Sequence, residues 1–504
     1  MSMALQTFTV FPATKGLVTS VPPHMIPPDA LTTATNIEYD TGGIRKKRLG
    51  TARYNATAIT GSTTVTALAD FWRHGTTLAP TQDFVCASGT RTFKDDGDGV
   101  WDEINAAWGT ATNLNTNITI AQGFAVFSNG VDAPRTWDQT TEAALGGSPA
   151  TFSYAAYHLR RLFIAGISAT PSQVNFSAAG AIATWTGVDT GNVIFDEDDG
   201  DRVIGLSKPF HGSLYVFKGP TFGGVHELAG LSPSTFNRTK IVHGAPCVNH
   251  RTIVTTPNDI YWVSRYGIHS LSLARQLGGD TEEAYLSTPI QDLFRAYDAD
   301  DLGQAVGFWH PTRNVVGWAF TAAAGTTNTE MLLYNYVLKQ WSRWVPSGFA
   351  TASCMVALTP TTQVPRLYTG SYAGRVHAWD QTTLSDENAA TAYTATAAGP
   401  EHYDLGKGAG AEREKQFVAV TTYFRPKNSS YNVTLDVSID GATATSYTIS
   451  MSPNLTTTYD VTPIEGRGRS IKLTYSQAGA AEDMEVYGYS IHFVSGEASS
   501  LERP

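Results

Sequence analysis

The sequence predicts an all-β chain, with an irregular β-propeller of six or seven blades followed by a C-terminal β-sandwich. Three observations carry this prediction. From about residue 51 to about 390, apolar runs of about four to seven residues alternate with Gly, Asn or Asp turns. The pentapeptide Trp-Asp-Gln-Thr-Thr occurs at 137–141 and again at 379–383, after Gly130 and Arg135 in one copy and Gly374 and Arg375 in the other. That identity suggests one β-unit used repeatedly. After about 395 the register changes to longer alternating strands. The expected domains are an extended N-terminal segment at 1–50, a propeller at 51–395, a sandwich at 396–494 and a frayed tail at 495–504.

The N-terminal segment contains Val21-Pro-Pro-His-Met-Ile-Pro-Pro, whose paired prolines remove donors and fix φ. It is expected to run extended over another surface, with a short helix from Asp29, a possible N-cap, to about Asn36. In the propeller region the leading strands are read at 84–87, 124–127, 162–165, 213–217, 260–263, 315–320 and 366–369. Their partners include 225–228, 268–273 and 375–379, each after a glycine turn that supplies positive φ. These seven hairpins are irregularly spaced, too loosely for a WD40 or kelch period. An antiparallel array of this length must close to hide its edges, and radial blades achieve that. One helix is expected at 287–297, where Ile290, Leu293, Phe294 and Tyr297 share a face. The sandwich strands are read at 416–424, 432–439, 445–451, 469–475 and 484–493, with Asp440-Gly441 as a hairpin turn.

Composition narrows the function classes. The 504 residues are 42% apolar and only 16% charged, with 46 glycines, a folded rather than disordered composition. The net charge of −10 disfavours nucleic-acid binding over the surface as a whole. Arg45, Lys46, Lys47 and Arg48 form the one dense basic run, read as a solvated loop or an inter-subunit contact, with a phosphate contact as the alternative. Cys86, Cys247 and Cys354 are odd in number and far apart, which argues against a disulfide framework. The first residues lack a basic stretch followed by an apolar one and do not read as a secretory signal. No run of about 18 apolar residues predicts a membrane anchor.

Candidate chemistry is sparse. Asp95, Asp96 and Asp98 form one acidic cluster, and Asp196, Glu197, Asp198, Asp199 and Asp201 a second. Each reads as turn chemistry, with a cation site or a surface repelling polyanions as alternatives; neither keeps EF-hand spacing. His243, Cys247 and His250 have zinc-like spacing, yet zinc needs convergent ligands, and the stretch reads as an inter-blade loop with a small buried Cys. Gly-x-Ser-x-Gly, P-loop and His-Glu-x-x-His motifs are missing, so no catalytic residue and no cofactor is assigned. The eleven tryptophans read as packing between blades rather than as stacking platforms.

Five stretches, in order along the chain, resemble the tail nozzle, or tail tubular protein B, group of short-tailed bacteriophages. They are 15–50 with its prolines and basic run; His158-Leu-Arg-Arg-Leu-Phe-Ile-Ala-Gly with Val174-Asn-Phe-Ser-Ala-Ala-Gly and Trp185; Leu214-Tyr-Val-Phe-Lys with Val225-His-Glu-Leu; Asp259-Ile-Tyr-Trp-Val-Ser-Arg-Tyr-Gly-Ile-His-Ser-Leu; and Gly466-Arg-Gly-Arg-Ser-Ile-Lys-Leu with Glu482-Asp-Met-Glu-Val-Tyr-Gly-Tyr-Ser-Ile. The resemblance implies a non-enzymatic virion protein, assembled in the host cytoplasm as a homo-oligomeric ring, typically a hexamer. It implies a portal-adaptor ring and a tail fibre or needle as partners, and viral DNA passing through the channel without sequence-specific binding. On that reading the two acidic clusters are candidate lumen loops that repel phosphates. The rival readings are a propeller glycoside hydrolase or lyase and a receptor-binding tail protein, both acting on host surface polysaccharide.

Overall fold

Tight turns fold the middle of the chain into successive antiparallel meanders. At Gln122-Gly123, for example, both residues have positive φ (51° and 78°), the geometry that joins Asn117–Ala121 to Phe124–Ser128 through a two-residue loop. The computed structural model describes residues 4–495 apart from 12–13, 41, 60–63, 75–79, 112–113, 148–150, 279–284, 298–300, 323–324, 350–351, 360–364, 380, 388–390, 407–409, 426–430 and 452–457. All but the first residue of the expected frayed tail falls outside these. The chain divides into two compact units, one of Ala52–Met331 and Phe349–Trp379, the other of Met1–Thr51, Leu332–Gly348 and Asp380–Pro504.

The first unit is a β-propeller. Four four-stranded meanders follow one another, starting at Val65–His74, Asn117–Ala121, Tyr154–His158 and Arg202–Leu206. A three-stranded sheet follows from Val254–Thr255, and a sixth begins with Val306–His310 and Val315–Thr321. The seventh comprises Cys354–Leu358, Arg366–Gly370 and Val376–Ala378, completed by Ala52–Arg53 from the other end of the unit. The first strand of each sheet neighbours the first strand of the next except between the fourth and fifth, where His250–Thr252 lies against the fourth, fifth and sixth sheets. Cys354–Leu358 then lies beside Val65–His74 and closes the ring. Seven sheets are therefore arranged as blades among the described residues. The first strands are innermost, and they start at intervals of about fifty residues; this corrects the expectation of a loose spacing, which arose from hairpins of unequal length.

The blades hold together through apolar layers between neighbouring sheets. Tyr215, Phe217, Val225 and Val242 of the fourth blade pack on Ile260, Trp262, Leu271 and Ala274 of the fifth. Phe71 and Val85 of the first meet Phe127 and Trp137 of the second. Five of the nine tryptophans of this unit are buried, Trp108, Trp137, Trp262, Trp318 and Trp379, as packing between blades requires. Trp262 is wholly buried, stacks on His269 at 5.2 Å and donates from Nε1 to the Ala245 carbonyl at 3.2 Å. Trp262→Ala is expected to cost about 3–5 kcal/mol, read as a drop in the urea unfolding midpoint; a change of less than about 1 kcal/mol would contradict the layered packing.

Both Trp-Asp-Gln-Thr-Thr copies occupy the same place, the end of a blade's third strand: Arg135–Trp137 in the second blade and Val376–Ala378 in the seventh. In the first copy Asp138 Oδ1 accepts from the N–H of Thr140 (3.0 Å) and Thr141 (2.6 Å), a side-chain turn. Asp380 of the second copy lies outside the described residues.

The helix expected at 287–297 is present but shorter, as Thr288–Ile290 running into Gln291–Arg295, with Ile290, Phe294 and Tyr297 buried. The strand expected at 268–273 stops at Ser270. There the Ser270 side chain accepts from Leu273 N–H and caps a helix, Leu271–Gln276.

The second unit holds two sheets. One runs Tyr459–Gly468, Lys415–Phe424, Glu485–Ser495, Arg45–Lys47, Ile37–Tyr39, with Gln6–Val10 also paired to Glu485–Ser495. The other runs Gln340–Trp344, Thr33–Thr35, Ala395–His402, Ile471–Gln477, Tyr431–Ile439, Thr445–Met451. Tyr489 of the first sheet reaches His402 (Oη to Nε2, 2.6 Å) and Tyr475 (ring centroids 6.2 Å) of the second, which makes the pair a sandwich. Asp440 and Gly441 both have positive φ, as the hairpin turn requires.

Two expectations for the N-terminus are corrected here. The segment is not a separate extended arm, because its strands belong to both sandwich sheets. The expected helix from Asp29 is instead the strands Ala30–Leu31 and Thr33–Thr35. Thr33 and Thr35 are β-branched, and the segment pairs with Ala395–His402 along its length, so interstrand hydrogen bonds override a weak local helical preference. The domain boundaries move accordingly: the sandwich takes Met1–Thr51 and Leu332–Gly348 as well as its C-terminal strands. Among the described residues no helix is long and apolar enough to cross a membrane.

Candidate functional site at the start of the innermost strands

Because each blade is an antiparallel meander, its first and third strands run one way and its second and fourth the other. The residues just before or at the start of the innermost strands therefore gather at one end of the propeller. Besides an open depression of about 590 Å³ lined by Asp196, Glu197, Asp198, Asp199 and Arg238, two smaller cavities open there. One, of about 350 Å³, is lined by Thr64 and Thr66 of the first blade, Asn115 before the second, Arg251, Gln304 before the sixth, and Tyr372 of the seventh, among others. The other, of about 280 Å³, is lined by Asn129, Ser153, Tyr154, Gly166 and Arg202 among others.

Arg251 is the cation of the larger cavity. It follows Asn249, whose side chain accepts from Arg251 N–H and caps the short turn His250–Thr252. Its guanidinium donates from Nη1 to the Ser353 carbonyl at 2.9 Å and from Nη2 to the Gln304 carbonyl at 3.4 Å. Burial pulls Arg251 below its ordinary value, and the groups that pull it back are Tyr372, Cys354 and Tyr154. Among the described residues no carboxylate pairs with it. Tyr154, in turn, is held above its ordinary value by burial, and the charges of Arg202 and Arg251 oppose that shift. Both arginine charges thus act on one tyrosine, and Tyr154 also packs on His250 at 4.8 Å.

The sequence-predicted site residues are placed differently. The loop of Asp95, Asp96 and Asp98 follows a third strand, so it lies at the opposite end of the propeller from the cavities. The loop of Asp196, Glu197, Asp198, Asp199 and Asp201 follows a fourth strand and lies at the cavity end. The two acidic clusters are not brought together. Half of their carboxylates are also met internally. Asp95 is buried, and its Oδ1 accepts from the N–H of Gly97 (2.6 Å) and Asp98 (3.0 Å). Asp199 receives Lys218 Nζ at 2.6 Å, and Asp196 receives Lys240 Nζ at 3.1 Å. Asp201 is buried and accepts from the N–H of Thr221, Phe222 and Gly223. This leaves Asp96, Asp98, Glu197 and Asp198 as the solvent-facing carboxylates of the two loops. Asp95, Asp96 and Asp98 each present an oxygen within 4.8 Å of the others.

The zinc-like trio does not converge. Cys247 is buried and directs Sγ at the Asn249 carbonyl at 3.2 Å, His250 Nδ1 accepts from Leu206 N–H, and His243 is exposed.

The reading of the basic run as a solvated loop or inter-subunit contact is corrected. Arg45–Lys47 is a strand, and Arg45, Lys47 and Arg48 are buried inside the sandwich unit, with only Lys46 partly exposed. Arg48 grips Asp386 with two hydrogen bonds, Nη2 to Oδ2 at 2.6 Å and Nη1 to Oδ1 at 2.9 Å, and lies over the Tyr393 ring at 3.8 Å. Lys47 donates to the carbonyls of Gly479 (2.7 Å) and Glu482 (3.2 Å), and burial lowers it to about 8. Arg45 lies over Tyr489 at 5.7 Å.

Burial also holds four histidines neutral: His226, His250 and His402 at about 4 and His269 at about 3. In the unfolded chain each takes up a proton near the ordinary value of about 6.5. Between those values the unfolded chain binds more protons, so stability falls as pH drops from about 6.5 towards about 4. The urea midpoint is expected to be lower at pH 5 than at pH 7.5, with a shallower fall in His269→Gln; an unchanged midpoint across that range would contradict the burial of these rings.

Fold and cavity position define the class: a β-propeller protein carrying a β-sandwich. No protein-family model matches the chain, and no curated protein does. Among solved structures, it is similar to YCF48 bound to D1 peptide (10% identity, 69% of this chain and 99% of that one, TM-score 0.42). It is also similar to the Cps50 (Swd1) β-propeller domain of Myceliophteria thermophila (12%, 65% and 99%, 0.40). A third likeness is to an exo-β-1,3-galactanase from Phanerochaete chrysosporium (9%, 88% and 99%, 0.27). At these identities and TM-scores the likenesses assign no activity.

Proposed function

We propose that the chain is a structural protein of a short-tailed bacteriophage tail, a nozzle subunit. It assembles into a closed ring, typically of six copies, that retains packaged DNA and passes it during ejection. The observation that carries this reading is how the strands of the N-terminal segment, from Gln6 to Arg53, are fixed. Gln6–Val10 pairs with the last strand, Glu485–Ser495, Thr33–Thr35 sits between two strands of the other sandwich sheet, and Ala52–Arg53 completes the seventh blade. A part that bears load during DNA retention and release needs ends that cannot be drawn out strand by strand. The family resemblance in the sequence and the net charge of −10 support the same reading, since a conduit must not hold its cargo. The portal-adaptor ring and a fibre or needle are its proposed neighbours.

The rival reading, cleavage of surface polysaccharide, needs a pair of carboxyl groups at the substrate. The larger cavity presents Thr64, Thr66, Asn115, Arg251, Gln304 and Tyr372 instead. Purified protein incubated with capsular polysaccharide and with duplex DNA tests the choice. The nozzle reading expects no depolymerisation and no retention of DNA at physiological salt. Depolymerisation abolished by mutating a single acid would overturn it.

A further inference from the structure

The cavity around Arg251 has two properties that purely structural packing does not require. First, its cation has no counter-ion. Arg251 is half-buried, and its protein partners are the carbonyls of Ser353 and Gln304, which leave other N–H donors of the guanidinium uncommitted. A partly desolvated charge without an opposite one is costly, and a bound anion reduces that cost. Secondly, uncommitted polar groups converge on the same space. The side chains of Thr64, Asn115 and Gln304, all on the cavity wall, have no protein hydrogen-bond partner among the described residues. Tyr372, by contrast, is fixed: its hydroxyl accepts from Asn328 N–H at 3.1 Å and donates to the Ala352 carbonyl at 3.3 Å, so it forms a rigid wall. Arg202 stands on the neighbouring cavity at the same end, exposed and likewise without a carboxylate partner among the described residues. Arg251 and Arg202 thus bring two positive charges to the cavities, while the solvent-facing Glu197 and Asp198 stand on a separate loop at the same end.

We propose that the cavity binds a small hydroxylated carboxylate of monosaccharide size, with Arg251 holding the carboxylate and Thr64, Asn115 and Gln304 taking its hydroxyls. The planar guanidinium matches a carboxylate with two parallel N–H donors. Amide and hydroxyl side chains supply both donors and acceptors, which suits sugar-like hydroxyls rather than a bare inorganic ion. About 350 Å³ is at the lower end of the range for small-molecule sites and accommodates one such unit. Binding here is separate from the conduit role; a tail protein that lacked it would still form a ring.

Titration calorimetry on the full chain tests the assignment with three probes: glucuronate, inorganic phosphate and glucose. Saturable binding of glucuronate is expected, with phosphate weaker and glucose unbound over the same range. Arg251→Gln should weaken glucuronate by about tenfold or more, and Arg251→Lys, which keeps the charge but not the fork, should weaken it less. Arg202→Gln, an exposed change that leaves packing intact, should weaken binding a few-fold through the lost field and so gives a readout even if Arg251→Gln fails to fold. Three results would overturn the proposal: no saturable binding of glucuronate, tighter binding of phosphate than of glucuronate, or glucuronate affinity unchanged in Arg251→Lys and Arg202→Gln alike.

Discussion

Replacing Asp386 by Ala is expected to cost about 3–5 kcal/mol of stability, because it leaves the buried Arg48 guanidinium without its counter-charge. Both side chains are wholly shielded from solvent, and the carboxylate accepts two bonds from Arg48, one from Thr51 Oγ1 (3.2 Å) and one from Ser347 N–H (2.9 Å). Arg48→Ala should be about as damaging for the mirror-image reason. The double variant Arg48→Met with Asp386→Leu separates the worth of the pair from the harm of an orphaned charge. It is expected to recover much of the loss, since apolar residues of similar volume replace buried ion pairs well. Urea unfolding of the four proteins measures this. A single-variant loss of less than about 1 kcal/mol, the scale of an exposed pair, would show that the site is hydrated and not the dry clamp described.

The second large effect is expected from removing the N-terminal segment. A chain beginning at Tyr54 lacks the strand that completes the seventh blade, the interior strand Thr33–Thr35, and Arg48. Removing an interior strand exposes two rows of unpaired backbone groups, and removing Arg48 leaves Asp386 buried and alone. Such a chain is expected to lose its cooperative unfolding transition and to be cut rapidly by protease, where the full chain resists. A truncated chain with an unaltered β-type circular dichroism spectrum and a sharp unfolding transition would contradict the woven arrangement.

The strands and turns were legible because their signal is local. Alternation, β-branched runs and Asp-Gly or Gly turns placed a strand at each expected site from 84–87 to 484–493. The tryptophans were legible as blade packing for the same reason, since a large ring on an alternating strand needs a facing sheet. What stayed hidden depends on partners remote in sequence. Arg45, Lys47 and Arg48 read as surface because charged residues are rarely buried unpaired, and nothing near them in sequence announces Asp386. Thr33–Thr35 read as helix because its pairing partners, Arg343 and Thr396–Ala398, come some three hundred residues later. The cavity was hidden because its residues are single polar positions, each unremarkable in its own loop. A signal did exist: Thr64, Asn115, Arg202, Arg251, Gln304 and Ser353 precede or open innermost strands that recur about every fifty residues.

The central claim, that this chain builds a ring, is tested most directly by mass photometry of the purified protein, alone and mixed with an adaptor ring, with electron microscopy of the same samples. A ring-building chain gives one dominant assembly at a single multiple of the chain mass, seen as a closed ring when the adaptor is present. Monomers that persist in both conditions, with no ring-shaped particle, would contradict it.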